Sequence, residues 1–364
     1  MFSEKDLQAL LNYSSDGRVL SVYLNTDPTE TSAEAAKLQL RNALKSVKLP
    51  EDVQVVENFI NFEYDWAAKG LVLFSDQSSD FLKSYQFGVP VPNEVYAGKH
   101  PVIRPLVRLL DVFTGWSVVL VDKQGARLFL FDLGELAEVG VSGDEVKQAK
   151  RGGGNAMHGR MGGADISGKV ENIIERNIKE VIDTATNYFN HHHVRRIMIG
   201  GTEDNIARFK EELPKSWQSL VVGDFSMSMT ANHQEVLEQA MHEALSAQKK
   251  INGALVDQAI TQAAKGSSGV TGLSETLNAI HEGRVKTLLV LDDNEQPGYR
   301  CQGCGFLSSQ KIKQCPFCGS SFEEIETAVE MAVQEALNKN AEVKVLSENK
   351  ALEGAGGIAA VLRY

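Results

Sequence analysis

Two cysteine pairs constrain the fold of this chain more than any other feature. All four cysteines of the 364-residue sequence lie in Cys-X-X-Cys pairs, Cys301 with Cys304 and Cys315 with Cys318, and a glycine follows each pair. This spacing forms two tight turns, or knuckles, whose sulfurs can point to one centre. Four thiolates complete the closed tetrahedral shell of a structural zinc ion. We therefore predict a zinc ribbon over residues 298–322, with an iron–sulfur centre as the alternative.

The confinement of cysteine to one segment also bears on the compartment. A disulfide framework would spread its cysteines through a small secreted domain, so a metal site in a reducing compartment is expected instead. The start of the chain, Met1–Asp6, carries charges where a signal peptide needs an apolar core. No apolar run reaches the roughly 18 residues of a membrane span. We expect a soluble, cytoplasmic protein without a membrane partner.

The length of the chain indicates more than one domain. With 364 residues, of which 43% are hydrophobic, the sequence exceeds what one ordinary core accommodates. The order of strand and helix patterns predicts an α/β (α+β) protein of three domains. The predicted domains are residues 1–112, 113–232 and 233–364.

The first segment has an α/β pattern. Its predicted elements are a strand at Val19–Leu24, helices at Ala33–Val47 and Val53–Trp66, and a buried strand at Lys69–Ser75. The prolines at positions 90, 92, 101 and 105 indicate a connection that ends this domain.

The second segment opens with a predicted hairpin, Trp116–Asp122 and Ala126–Phe131, and continues with a glycine-rich stretch. A helix follows over Gly168–Phe189, with Ser167 as its N-cap. Eight apolar residues recur at three- and four-residue steps and give this helix one buried face: Val170, Ile173, Ile174, Ile178, Val181, Ile182, Ala185 and Phe189. A strand at Ile197–Ile199, a helix at Asp204–Leu213 and a strand at Ser219–Val222 complete the segment.

The third segment is predicted to be an α/β/α sandwich into which the zinc ribbon is inserted. Its elements are helical stretches over His233–Ala264, a helix at Leu273–Ile280, a strand at Lys286–Leu291, the ribbon, a helix at Glu323–Ala336, and strands at Glu342–Leu346 and Gly357–Arg363.

The glycine-rich stretch is locally basic in an acidic protein. The net charge of −11 argues against broad nucleic-acid binding, and we expect no DNA partner. Between Val146 and Ala164, however, there is no Asp or Glu, and six glycines lie within Arg151–Gly163. Such a backbone can approach another backbone closely, and its arginines can pair with phosphates. A solvated surface loop is the alternative interpretation.

These motifs together resemble the archaeal and eukaryotic class 1 peptide-chain release factor and Pelota superfamily, in its bacterial-type branch that includes Balon-like hibernation factors. The family's middle domain carries a Gly-Gly-Gln loop before a long helix, which is where Arg151-Gly152-Gly153 lies. The third segment is similar to the family's last domain in four stretches: Gly269–Leu273, Ala279–Val290, the cysteine hairpin and Gly356–Tyr364. The first segment matches more loosely, at Val22–Leu24 and Gly70–Phe74.

The resemblance implies roles for the basic loop and the cysteines. The loop would contact the ribosomal RNA of the peptidyl-transferase centre through Lys150, Arg151, Gly152, Gly153, Gly154, Asn155, His158 and Arg160. The structural zinc would be held by Cys301, Cys304, Cys315 and Cys318. The glutamine is missing, so that Asn155, whose amide is one methylene shorter, is the candidate catalytic residue. No Asn-Ile-Lys-Ser stop-codon motif follows the first strand.

We therefore expect a translation factor that binds the ribosomal A site in hibernation or rescue and does not read stop codons. The expected partners are ribosomal RNA, with tRNA and a translational GTPase as further candidates. Two alternatives stay open. The first is a peptidyl-tRNA hydrolase that uses Asn155, and the second is a non-ribosomal RNA-binding protein.

Overall fold

The computed structural model of the protein describes residues 2–15, 17–142 and 163–364; of residues 139–142 and 163–170 it describes only the backbone. The strands form several separate sheets, and helices alternate with them along the chain. The mixed α/β architecture predicted from the sequence is therefore confirmed. Within the described part, no helix is long and apolar enough to cross a membrane.

The chain divides into two compact units. One unit contains residues 1–112 together with residues 248–364, and the other contains residues 113–247. The three-domain organisation stays a prediction. The new observation is that the two ends of the chain pack into one unit.

Residues 1–112 form an antiparallel sheet with the strand order β3-β2-β1-β4. The elements are α1 (Glu4–Leu11), β1 (Val19–Asn25), α2 (Ala33–Leu44), α3 (Pro50–Asn58), a π-helical turn (Phe59–Glu63), β2 (Gly70–Asp76), a 3₁₀ turn (Gln77–Ser79), β3 (Phe81–Phe87), β4 (Glu94–Gly98) and α4 (Arg104–Phe113). Helices α2 and α3 pack on one face of the sheet, against Leu20, Leu24 and Leu71. On the other face of β1, the Tyr23 hydroxyl donates to the Val102 carbonyl at 2.6 Å. Because both faces are covered, β1 is apolar along most of its length.

Two expectations for this segment are wrong. The proline-containing stretch is more than a connection, because it contains β4, which pairs with β1, and α4. Pro105 lies in the first turn of α4, where its missing N–H leaves no helical hydrogen bond unmade. The α-helix predicted to reach Trp66 ends at Asn58 and continues only as the π-helical turn.

Residues 113–247 contain a five-stranded sheet with the order β7-β6-β5-β8-β9. The elements are β5 (Trp116–Val121), β6 (Gly125–Asp132), β7 (Glu135–Ser142), α5 (Gly163–His191), β8 (Arg196–Gly201), α6 (Glu203–Glu212), α7 (Lys215–Gln218), β9 (Val221–Ser226) and the first part of α8 (His233–Ala264). Strands β5, β6 and β7 form an antiparallel meander, whereas β8 and β9 run parallel to β5. The hairpin prediction is confirmed. The strand predicted at Ser219–Val222 begins instead at Val221 and extends to Ser226.

Helix α5 buries the face that its sequence pattern predicts. Six of its apolar residues lie in the core of the sheet: Ile174, Ile178, Val181, Ile182, Ala185 and Phe189. Ile173 is partly exposed, and the side chain of Val170 is outside the described residues. The helix begins at Gly163 rather than Gly168. The N-cap predicted at Ser167 is therefore wrong, since that residue lies inside the helix.

Residues 248–364 form a mixed sheet with the order β10-β16-β11-β15, in which β11 and β15 are parallel. The elements after α8 are β10 (Gly269–Thr271), α9 (Leu273–His281), β11 (Val285–Leu291), β12 (Gly298–Cys301), β13 (Leu307–Ser308), β14 (Phe322–Ile325), α10 (Ala328–Asn338), β15 (Glu342–Leu346), α11 (Lys350–Gly354) and β16 (Ile358–Leu362). Val256 and Ala259 of α8 pack on Leu289 and Leu291 of β11. Helices α9 and α10 also contact this sheet.

One element of this segment differs from its prediction. The helix predicted over Glu323–Ala336 begins at Ala328, because the preceding residues form β14 and pair with β12. Thr327 caps the helix, and its side chain accepts a hydrogen bond from the Glu330 N–H at 3.0 Å. Whether these residues form a helix or a strand is therefore decided by a partner strand more than twenty residues away in sequence.

Candidate functional site

The four cysteines lie at one end of a small antiparallel sheet. Strand β12 is central and pairs with β13 on one side and β14 on the other. Cys301 is the last residue of β12 and lies opposite Phe322 of β14. The first knuckle follows β12 and the second precedes β14, so the register of the sheet brings the two knuckles together.

The geometry of the thiols fits a metal ion. The Sγ atoms of Cys301 and Cys318 are 3.4 Å apart, those of Cys304 and Cys315 are 3.5 Å apart, and all four lie within 4.8 Å of one another. A disulfide would need about 2.05 Å between sulfurs. A tetrahedral zinc–thiolate shell with bonds of about 2.3 Å places sulfurs about 3.8 Å apart. The cluster therefore has the dimensions of a tetrathiolate zinc site.

The glycines that follow the pairs have a conformational reason. Gly305 and Gly319 have φ angles of +75° and +76°, in the left-handed region that glycine adopts without strain. Their N–H groups donate to the carbonyls of Cys301 and Cys315 at 3.0 and 2.9 Å, which closes each knuckle. A side chain at either position would strain the turn and displace its sulfurs.

Hydrogen bonds within the second knuckle favour a thiolate. The side chain and backbone of Ser320 lower the pKa of Cys318 to about 6, from the higher value of an ordinary thiol. The opposite shift is found at Cys304, whose pKa is raised to about 12 within the same group of four sulfurs.

The apolar core of the ribbon is small. It consists of Cys301, Phe306 and Cys315, with Phe322 packed against them. So few buried side chains supply little hydrophobic stabilisation. A cross-link through the sulfurs is the interaction that can hold such a ribbon folded.

The glycine-rich loop, the other predicted site, lies outside the described residues. This applies to Lys150, Arg151, Gly152, Gly153, Gly154, Asn155, His158 and Arg160, so their predicted roles stay predictions. The described backbone reaches the loop from both sides, through β7, which ends at Ser142, and α5, which begins at Gly163.

Strand β7 is anchored by a polar cluster before it reaches this loop. Arg127 on β6 donates to the Glu138 carboxylate at 2.5 and 3.0 Å and to the carbonyls of Met229 and Ala231 at 2.8 and 2.6 Å. The guanidinium group lowers the pKa of Glu138. His233 also lies 2.8 Å from this carboxylate. The cluster joins the meander to the residues that precede α8, all within the same compact unit.

A buried polar seam was not singled out from the sequence. Arg104 is 1% exposed and Glu330 is 4% exposed. The Arg104 Nε donates to Glu330 at 3.0 Å, and its Nη1 donates to the carbonyls of Asp292 and Asn294. The Ile103 N–H donates to the other Glu330 oxygen at 2.8 Å. This seam joins the first segment to the helix that follows the ribbon.

Further polar contacts extend the seam. Arg108 donates to Asp292 at 2.5 Å, and Lys344, which is 2% exposed, lies 2.6 Å from Asp111. The only sequence signal was that Arg104 lies within the apolar run Val102-Ile103-Arg104-Pro105-Leu106-Val107, where a charge must find a partner if the run is buried. No local pattern indicated which carboxylate that partner would be.

Two family profiles match adjoining parts of the chain. The profile described as bacterial archaeo-eukaryotic release factor family 10 matches residues 101–245, and the profile described as eRF1 domain 3 matches residues 250–364. The protein pelota homolog of Pyrococcus abyssi (strain GE5 / Orsay) is 26% identical over 214 residues, which cover 56% of this chain and 53% of the relative. The chain thus matches about half the length of this curated relative.

Several solved structures are also similar. They include archaeal translation termination factor aRF1 (17% identity, 99% of this chain and 96% of that chain, TM-score 0.27), S. cerevisiae Dom34 (11% identity, 81% and 79%, TM-score 0.39), and archaeal Pelota in a model of ribosome-bound Pelota and ABCE1 (14% identity, 100% and 94%, TM-score 0.41).

The sequence matches define the class of the protein. The two profiles together cover the second and third predicted segments, and both describe parts of translation release factors. The curated match is to a Pelota protein. The chain belongs to the superfamily of Pelota-like and release-factor-like proteins.

Proposed function

We propose that the protein is a translation factor that binds the ribosomal A site and acts in hibernation or rescue without reading stop codons. The observation that carries the proposal is the pair of adjoining profile matches, over residues 101–245 and 250–364, to two parts of release factors. A cytoplasmic location, ribosomal RNA as the partner, and delivery by a translational GTPase belong to the same proposal.

Two departures in the sequence favour binding over release. The loop lacks the family's glutamine, and the first segment lacks Asn-Ile-Lys-Ser. Ester hydrolysis requires a water positioned to attack the carbonyl carbon, and a displacement of about 1 Å can reduce the rate roughly 100-fold. Asn155 has a shorter side chain than glutamine and would place its amide differently. The chain thus matches the family's domains but lacks both the glutamine for peptide release and the motif for reading stop codons.

The cysteine cluster supports a structural role for zinc within this proposal. All four ligands come from the chain, and a tetrahedral shell of four thiolates has no open position for a substrate. Zinc bound there would cross-link the two knuckles and fix the ribbon on α9 and α10. Its contribution would be to shape and stability and not to peptidyl-tRNA chemistry.

Sedimentation with purified bacterial ribosomes tests the proposal. The full chain should co-migrate with empty ribosomes at low salt and dissociate as salt rises, because phosphate contacts release counterions. Exchanging Lys150, Arg151 and Arg160 for Glu should weaken co-migration. Exchanging Lys249 and Lys250, which are exposed on α8, together with Lys350 gives a control with the same change in net charge. Absence of co-migration at low salt would overturn the proposal.

Release of labelled peptide from programmed ribosomes separates binding from hydrolysis. We expect no release above the ribosome-only rate for the wild-type chain. Release that disappears in Asn155→Ala but persists in Asn12→Ala, an asparagine outside the loop, would establish the peptidyl-tRNA hydrolase instead. Binding to RNA without any binding to ribosomes would favour the non-ribosomal alternative.

A further inference from the structure

The ribbon contains a second stretch of this acidic chain that lacks carboxylates. From Gln296 to Phe322 there is no Asp or Glu, although the chain as a whole has a net charge of −11. This stretch contains three cations, Arg300, Lys311 and Lys313. The two lysines flank Ile312 in the exposed connection between β13 and the second knuckle. An anionic partner would therefore meet less repulsion here than on most of the surface.

An aromatic ring is fixed next to this connection. Phe317 lies between the two cysteines of the second knuckle, and 59% of its surface is exposed. Its ring centroid is 4.2 Å from that of His281, at an interplanar angle of 44°, and 4.9 Å from that of Phe306. Phe306 is itself buried. The ring is thus supported from behind by two others and presents a preorganised apolar surface to solvent.

The cations near this ring are of two kinds. Lys339 donates to the carbonyls of Ile280 and His281 at 3.0 and 2.8 Å and so completes the end of α9. By contrast, Lys311 and Lys313 are exposed, and neither forms an ion pair with any residue that the structure describes. Their charges are therefore available to a partner, whereas that of Lys339 is used within the fold.

The carboxylates close to the ring are already paired. Glu282, next to His281, lies 2.5 Å from Arg284, and Glu335 lies 3.3 Å from Lys339. Their repulsion of an approaching phosphate is reduced accordingly. An exposed ring that closely follows, in the sequence, two exposed lysines unpaired among the described residues combines the features that bind single-stranded nucleic acid, because bases stack on the ring while the lysines meet the phosphates.

We propose that the ribbon tip, residues Lys311–Phe317, is a binding surface for single-stranded RNA, with a base stacked on Phe317 and phosphates at Lys311 and Lys313. The proposal deepens the proposed function and rests on it for the identity of the RNA as ribosomal. An acidic peptide is the competing occupant. The exposed ring and the two lysines, which no described residue pairs, favour a nucleic acid, since a base can stack on the ring while the lysines meet the phosphates.

Fluorescence anisotropy of a labelled oligouridylate of about ten nucleotides tests the proposal on the full chain. We expect Phe317→Leu to weaken binding roughly tenfold, because leucine retains the apolar contact with Phe306 but lacks a stacking face. Phe317→Trp should bind as tightly as the wild type or tighter. If Phe317 acts only by packing against His281 and Phe306, Phe317→Trp should weaken binding as Phe317→Leu does.

Matched controls define the charge effect and the aromatic effect. Lys311→Glu with Lys313→Glu should weaken binding at least tenfold at low salt and reduce its salt dependence. Lys249→Glu with Lys250→Glu makes the same change in net charge elsewhere and should have a much smaller effect. Phe62→Ala removes a ring that is 84% exposed in the first segment, and it should leave binding unchanged.

The outcomes separate this inference from the proposed function. Oligonucleotide binding that is equal in the wild type, Phe317→Leu and the lysine variant overturns the inference even if ribosomes still co-sediment with the protein. Binding of a labelled polyglutamate peptide that competes with the oligonucleotide and is equally sensitive to Phe317→Leu would assign the surface to protein instead. If the wild-type chain binds the oligonucleotide but does not co-sediment with ribosomes, only the proposed function is contradicted.

Discussion

The ribbon and the sheet of residues 113–247 are stabilised by opposite means. The apolar cluster of the ribbon consists of Cys301, Phe306 and Cys315, with Phe322 packed against them. The core between the sheet and helices α5 and α6 contains sixteen buried apolar side chains. Hydrophobic burial contributes roughly 25 cal/mol per Å² of apolar surface, so it is sufficient for the sheet and insufficient for the ribbon. We therefore expect sulfur ligands to stabilise the ribbon, whereas hydrophobic burial stabilises the sheet.

The largest expected effect follows from removing the sulfur cluster. Replacing Cys301 and Cys318 with Ser should abolish zinc binding and unfold the ribbon, since structural zinc contributes about 10–16 kcal/mol in small zinc domains. Hydrogen exchange should lose protection over residues 298–322 and retain it over α5. Gln310→Ala, an exposed substitution in the same ribbon, is the control. Equal loss of protection in α5 would contradict the separation of the two regions.

A cavity in the sheet should have the second largest effect. Phe189 is fully buried, with its ring 5.2 Å from that of Trp217. Phe189→Ala should lower the free energy of unfolding by about 3–5 kcal/mol, because it creates a cavity that the packed core cannot fill. Urea denaturation followed by tryptophan fluorescence measures this change. The zinc content should stay that of the wild type; a parallel loss of zinc would show that the two regions unfold together.

The buried seam is expected to stabilise the unit that contains the ribbon. Arg104→Ala leaves the Glu330 carboxylate buried without its guanidinium partner and should cost about 3–5 kcal/mol. Burial already raises the pKa of Glu330, so its charged form depends on Arg104. The double variant Arg104→Met with Glu330→Leu should recover most of the loss. If the single and double variants are equally destabilised, packing and not charge explains the effect.

The smallest effect concerns the polar cluster of the sheet. The lowered pKa of Glu138 means that its contribution to stability is present above the ordinary glutamate pKa of about 4.3. That contribution is lost as the pH falls through the still lower pKa of the folded state. Thermal melts of the wild type should therefore decline more steeply below pH 4.3 than those of Arg127→Gln. Parallel declines would show that other carboxylates dominate acid unfolding.

The sequence predicted best where the determinants are local. The Cys-X-X-Cys spacing places each pair of sulfurs on one turn, and the structure brings the two pairs together as expected. The three- and four-residue steps of α5 predicted its buried face, from Ile174 to Phe189, because a regular helix fixes which side chains share a side. The Gly-rich loop has no such regularity, and its roles are carried by the resemblance alone.

Only the tertiary structure decided features that depend on distant partners. Residues 322–325 have a sequence compatible with a helix, and pairing with β12 makes them a strand. Arg104 and Glu330 are 226 positions apart, and nothing near either residue specifies the other. The sequence by itself determined the sulfur cluster and the face of α5, because spacing along a turn or helix sets their geometry. The seam that joins the two ends of the chain could be found only in the tertiary structure. A buried charge must be paired, and only the fold determines which residue lies close enough to pair with it.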